Sequence, residues 1–272
     1  MSEKNTVQDL INNLKLINDK SDKKIVLPQS KLSVGLKSLQ AKHVSKINSS
    51  LLASMSQSVK KTVFNKLVEQ IFTDILTLPD GVDYNSFTVI DYYYILFTIR
   101  ESINPIFKIQ GDDDNDVSVN ITEKLNVYRK TKFKLTLPKV GKKPCEVYLK
   151  VPTYKLMRRF EDITHERQVA EEKKGEKNFD MESIMKDMFS FSIIPYIEKI
   201  KTVVDGDEPS EIIFNELTLS QKVQILDLIP SELYKNIIEG IGKLNSPIDE
   251  LLSTDTPDIK IPLDQTFLVD ND

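Results

Sequence analysis

Apolar positions along this chain change period several times, and each change marks an element. From Ser86 to Ile103 (SFTVIDYYYILFTIRESI) eleven of eighteen residues are apolar or aromatic. They cover nearly every face of a 3.6-residue period, from Val89 and Ile90 through Ile99 and Ile103, so no side is left for water. The pattern predicts a buried core helix that other elements wrap. Thr88 and Asp91 stand three apart in a capping arrangement, and Pro105 lies two residues past the end. The segment is shorter than the ~20 apolar residues a bilayer span needs, and it carries Asp91, Arg100 and Glu101.

Before this helix, Thr6 to Asp19 has the spacing of a docking or frayed helix. Lys24 to Leu39 alternates Leu32, Val34 and Leu36 against polar residues and predicts a strand pair. Gln40 to Leu78 returns to helical spacing, with a wide stripe from Val59 and Val63 to Phe72 and Ile75, closed by the Pro79-Asp80-Gly81 turn. After it, IFKI and VSVNI read as strands joined by an acidic tip, Asp112 to Asp116. KFKLTLP (Lys132 to Pro138) and CEVYLKV (Cys145 to Val151) read as a hairpin around VGKKP, followed by a helix from Tyr154.

IVLPQSKLSVGLKSLQAKHVSKI and LTLPKVGKKPCEVYLKVPTYKLMRRF share a frame of Leu-Pro, hairpin and helix. As a duplicated unit, this predicts two hairpins paired in one sheet. KKGEK (Lys173 to Lys177) reads as a linker. Beyond it come a helix from Met181 to Val204 interrupted at Pro195, and two helices between Leu217 and Leu244 capped by Ser220 and Ser231. An edge strand is expected within Asp258 to Val269. The expected fold class is α+β. Its parts are an N-terminal extension (1–23), an α+β domain built around the buried helix with two Leu-Pro hairpin-helix units (24–173), and a mainly helical domain (174–272).

Composition narrows the function classes. The 272 residues are 29% charged yet carry a formal charge of only -4, which argues against a general nucleic-acid surface. One cysteine, Cys145, leaves no internal disulfide and no cysteine-rich zinc site, as expected of a reducing cytosol. No GxGxxG or GxxxxGK[ST] spacing occurs among the 8 glycines, so nucleotide chemistry is not expected.

Candidate chemistry is sparse. Asp112, Asp114, Asp116 and Glu123 fit positions 1, 3, 5 and 12 of a calcium loop, but position 6 is Val117 where such a loop needs glycine; a solvated loop tip is the plainer reading. His43 and His165 stand alone on charged helices, and Cys145 has no histidine neighbour to activate it. Lys130, Lys132, Lys134, Lys139, Lys142, Lys143, Lys155, Arg158 and Arg159 gather around the second hairpin. With Tyr128, Phe133 and Tyr148 they could meet a nucleic acid, and otherwise form a solvated sheet face. No catalytic residue and no cofactor is expected. Leu226, Ile229, Leu233, Tyr234, Ile237 and Ile241 form a stripe that either binds a partner or packs on the Met181 helix.

Several stretches together resemble a known family. They are Val26-Leu27-Pro28 with its following strand, LPDGVDYNSFTVIDYYYILFTIR ending in Arg100, the Leu137-Pro138 hairpin, and IPYIEKIKTVV followed by LTLSQKVQILDLIPSELYKNII. From about Lys24 to Leu252 the order of features resembles the T-even-type myovirus baseplate hub assembly family. Members of that family often carry Cys-x-x-Cys pairs where this chain has Gln110-Gly111-Asp112-Asp113 and Asp258-Ile259-Lys260-Ile261, so no metal knuckle is expected here. The resemblance implies a tail-assembly factor that binds other phage tail or baseplate proteins in the cytoplasm of the infected bacterial host, in the manner of a chaperone that need not be retained in the virion. A permanent structural subunit of the baseplate is the alternative, and a calcium- or nucleic-acid-binding module a weaker one.

Overall fold

The computed structural model describes residues 8, 10–12, 23–51, 57–109, 116–131, 133, 139–142, 144–173, 180–203 and 208–268. The fold is α+β, with antiparallel sheets and several helices, in two compact units. One comprises Met1–Tyr84, Tyr93–Thr131 and Leu251–Asp272; the other comprises Asn85–Tyr92 and Lys132–Glu250.

In the first unit, β1 (Lys23–Val26) and β2 (Ser33–Leu36) pair antiparallel, with Ile25 opposite Val34, and a short β3 (Leu76–Thr77) extends the sheet. The tight turn is held by the Leu27 N–H to the Leu32 carbonyl at 2.8 Å, with Lys31 at φ 60. Helices α1 (Ala41–Leu51) and α2 (Gln57–Ile75) follow; Phe64, Leu67, Val68, Ile71, Phe72 and Ile75 of the expected stripe are all buried. Helix α3 (Val89–Ile103) is the expected core helix: Ile95 and Phe97 are fully buried, and Thr88 Oγ1 accepts from the Asp91 N–H at 3.2 Å. Its first turn belongs to the other unit. Strands β4 (Ile106–Ile109) and β5 (Val117–Asn120) pair as expected. Helix α4 (Ile121–Lys130) was not expected; Asn120 caps it by accepting from the Glu123 N–H.

In the second unit, β6 (Lys139–Lys142), β7 (Cys145–Leu149), β8 (Ile197–Thr202) and β9 (Ser210–Ile213) form one antiparallel sheet in that order. Helices α5 (Tyr154–Glu172), α6 (Met181–Ile193), α7 (Leu219–Leu228) and α8 (Ser231–Leu252) accompany it. Val147, Leu149, Phe191, Ile197, Phe214 and Ile237 belong to its core.

Several expectations are corrected. The hairpin before β7 uses Lys139–Lys142, part of the stretch expected to be its turn, because Val140 pairs with Val147 and Gly141 supplies φ +85 beside the loop. A Cβ at Gly141 would come within 2.6 Å of the Cys145 carbonyl oxygen. KFKLTLP lies outside the described residues except Phe133. The helix expected to reach Val204 stops at Ile193; Pro195 sits in a single 3-10 turn, and the β-branched run after it is β8. The two hairpins therefore lie in different sheets, β1-β2-β3 and β6-β7-β8-β9.

The region beyond 173 is mainly helical in its elements, but it is not a domain by itself, since its β8 and β9 complete a sheet begun by β6 and β7. Nor do the units divide at 173. Helices α5 and α6 share one unit, through Phe160 against Phe191 at 5.8 Å and an Arg167–Asp187 ion pair. Residues 174–177 of KKGEK lie outside the described residues. So does most of the 1–23 extension, in which positions 8 and 10–12 are helical. Thr218, not Ser220, caps α7 in a capping box with Gln221, and Ser231 is the first residue of α8 rather than its cap. In place of the final strand there is one bridge, Ser253 to Lys260, and a 3-10 turn at Gln265–Leu268.

Helix α8 approaches the sheet closely at Gly240, where a Cβ would come within 2.6 Å of Leu149 Cδ1 and 3.1 Å of Val140 Cγ1. Leu149 is fully buried and has little room to yield. Gly240→Ala is therefore expected to destabilise by about 1–3 kcal/mol despite alanine's better helix propensity. Gly242→Ala, with nothing within 4 Å, should gain roughly 0.5–1 kcal/mol. Urea unfolding of both variants checks the sign.

Candidate functional site

The stripe expected either to bind a partner or to pack on the Met181 helix is core. Leu226, Leu233 and Ile237 are buried, and Ile229, Tyr234 and Ile241 pack against the same cluster. The open apolar surface of this unit lies on α6. Asp180 caps this helix, its Oδ1 accepting from the Ser183 N–H at 2.9 Å. Ile184, Phe191 and Ile193 face inward, whereas Met181, Met185, Met188 and Phe189 are 57%, 44%, 45% and 58% exposed. These four stand at i, i+4, i+7 and i+8, a single helical face.

Charged pairs border this face: Lys186 Nζ reaches Asp227 Oδ2 of α7 at 2.8 Å, and Arg167 pairs with Asp187. Leu228, next in sequence to Asp227, is 76% exposed. Unbranched thioethers re-pack around varied apolar shapes, so such a surface suits a protein partner. The sequence carried a signal for it: three of the six methionines fall between Met181 and Met188. A second open feature is the outer strand β9, all four of whose residues are exposed, Ile212 and Ile213 included.

The other candidates resolve differently. Asp112 and Asp114 lie outside the described residues. Val117–Asn120 is a strand, and Glu123 is occupied at the start of α4, its Oε1 accepting from Asn120 Nδ2 at 3.0 Å. An extended strand cannot wrap an ion as a calcium loop does. Among the described residues no group of three His, Cys, Asp or Glu could hold a metal.

His43 is buried rather than a surface charge. Its Nδ1 accepts from the Gln40 N–H at 2.9 Å, and its Nε2 lies 3.1 Å from Asp74 Oδ2. Since a backbone N–H can only donate, this geometry selects the tautomer protonated at Nε2, which then donates to Asp74. Lys42 reaches the same carboxylate oxygen at 3.0 Å. Hydrogen bonds from Lys42 and then His43 hold Asp74 below the ordinary carboxylate range. A carboxylate with a depressed folded-state pKa stabilises above its unfolded value and loses that contribution as pH falls through the folded one. The stability gap between the native protein and Asp74→Asn should therefore be full at neutral pH and shrink below about pH 4, a comparison made by urea titration at several pH values.

His165 is half-buried on α5, and the neighbouring Glu161 is paired with Arg158 at 3.0 Å. Burial, with a smaller contribution from Glu146, raises the Cys145 thiol, which disfavours the nucleophilic thiolate. The basic hairpin face is largely neutralised or engaged. Lys139 meets Glu146 at 2.8 Å, Arg158 meets Glu161 and Asp162, and Lys199 covers the Tyr148 ring at 4.8 Å. Tyr128 is buried against Tyr94, so neither tyrosine is open to stack on bases. Lys132, Lys134 and Lys143 lie outside the described residues.

This chain matches no family model, no curated protein and no solved structure. Among the described residues no helix is long and apolar enough to cross a membrane.

Proposed function

We propose that this protein is a phage tail baseplate hub assembly factor that acts without catalysis. It binds other tail or baseplate proteins in the cytoplasm of the infected host. The observation that carries the reading is the open Met181, Met185, Met188 and Phe189 face of α6, a helix whose opposite face is already core. A helix apolar on both sides is ordinarily covered on both, and an assembly partner supplies the missing cover. The family resemblance supplies the biological setting.

A tagged copy expressed during infection should capture tail or baseplate proteins, while mass spectrometry of purified particles should find the protein missing. Capture of no tail component would sink the reading. A second reading, a permanent baseplate subunit, draws on the open edge of β9, which strand addition from a neighbouring subunit would satisfy. A fixed number of copies per particle decides for it.

A further inference from the structure

On the face of the second unit's sheet turned away from its core, charge alternates from strand to strand and ends with opposite signs. Val147 and Leu149 of β7 are fully buried, so Glu146 and Tyr148 stand on the other face. Pairing places Lys139 and Gly141 of β6, Lys199 and Lys201 of β8, and Glu211 and Ile213 of β9 on that same face. The signs therefore run plus, minus, plus, minus from β6 to β9. Lys139 Nζ reaches Glu146 Oε1 at 2.8 Å, and Lys199 Nζ reaches Glu211 Oε2 at 3.2 Å. Within the series Glu146 and Lys199 are 16% and 29% exposed, whereas the end members Lys139 and Glu211 are 48% and 44% exposed. Among the described residues, each end charge has a strand on one side only.

The two end strands are complementary in shape as well as sign. β7 and β9 flank β8 in matching register: Glu146 and Glu211 both face Lys201, Val147 and Ile212 both face Ile200, and Tyr148 and Ile213 both face Lys199. β9 thus repeats the carboxylate, β-branched and large apolar side chains that β7 presents to β6. It also runs in the direction of β7, so β6 of another copy would meet it antiparallel. β9 holds no lysine or proline and pairs with β8 without a shift, and so lacks the devices that ordinarily block an edge.

We propose that β9 of one copy pairs with β6 of a second copy, head to tail, continuing the sheet from molecule to molecule. With Ile212 opposite Val140 of the second copy, Glu211 faces its Gly141 and lies diagonal to its Lys139, the relation that Glu146 has to both within one chain. Cross-strand pairs of opposite charge and of β-branched residues stabilise such a junction. Like edges do not match: β9 on β9 sets Glu211 against either Glu211 or Ile213 of the other copy, and β6 on β6 brings two Lys139 edges together. A head-to-tail contact does not stop at two copies but builds a ring or a filament. The inference rests on the sheet alone and on neither reading of the function.

The test is sedimentation velocity of the full-length protein over a wide range of concentration. The native protein should form species larger than a dimer as concentration rises, and less of them at high salt. Glu211→Lys and Lys139→Glu, each setting like charges at the junction, should each weaken association about tenfold or more. Mixed in equal amounts, these two variants should assemble again, because each then meets an edge of opposite sign. Lys235→Glu, the same charge change at an exposed position of α8, should associate like the native protein. Unchanged far-UV circular dichroism shows that each variant is folded. A native protein that stays monomeric or stops at a dimer, undiminished association of either edge variant, or a mixture that stays apart would each overturn the pairing.

Discussion

Phe267→Ala is expected to destabilise the first unit by about 3–5 kcal/mol, measured as a lower urea midpoint at unchanged slope. Phe267 is fully buried, 4.9 Å from the Phe97 ring of α3 and 5.3 Å from the Phe107 ring of β4, the latter edge-on. Phe107 in turn lies under the Arg100 guanidinium at 5.2 Å, and Arg100 Nη2 donates to the Ile106 carbonyl at 2.8 Å. Removing the Phe267 ring opens a cavity beside two buried rings that cannot easily close it, and each aromatic contact adds about 0.5–1.5 kcal/mol beyond area alone. Phe267→Leu refills most of the volume and should cost less than about 1.5 kcal/mol. Ending the chain after Asp264 should be at least as damaging as Phe267→Ala. Equal stability of all three variants and the native protein would mean that the Gln265–Leu268 turn contributes no core.

The importance of Phe267 was not legible from its neighbourhood. Asp258 to Val269 alternates weakly, and what holds Phe267 is two rings about 160 and 170 positions away, a tertiary choice that local propensity does not encode. The burial of α3 was legible because its apolar residues leave no polar face, and so were the β1–β2 pair and the α2 stripe, where one period runs unbroken. Strand β8 misled for a definite reason. Its buried residues, Ile197 and Ile200, are three apart, a helical interval, because the pairing with β7 shifts between Tyr148 and Leu149. A bulge inserts one residue into the alternation, so the period of two is lost in the sequence. The α8 stripe was recognised as amphipathic, with a partner or the Met181 helix as its expected cover; it joins a cluster that includes Phe191 and Ile193 of that helix, and the sheet at Val140 and Leu149 is approached at Gly240.

The same limit applies to α6, where periodicity reveals two apolar faces and only the fold tells which is filled. From that follows the sharpest test of the proposed role. Phe189→Asp, alone or with Met185→Asp, places charge where the chain's own core is not reached, so stability should stay within about 0.5 kcal/mol of native. If the α6 face is the docking surface, an exposed aromatic at its edge is a hot spot worth about 2 kcal/mol or more, roughly a 30-fold loss in partner affinity. Leu233→Ala, from the covered stripe, should do the reverse: it loses about 2–5 kcal/mol of stability, while the protein that remains folded binds as before. Capture of tail proteins from infected cells by each variant, beside its urea midpoint, separates the two. Undiminished capture by Phe189→Asp, with loss on placing lysine at exposed Ile212 of β9, would move the interface from the helix to the sheet edge, where backbone pairing rather than methionine packing provides the affinity.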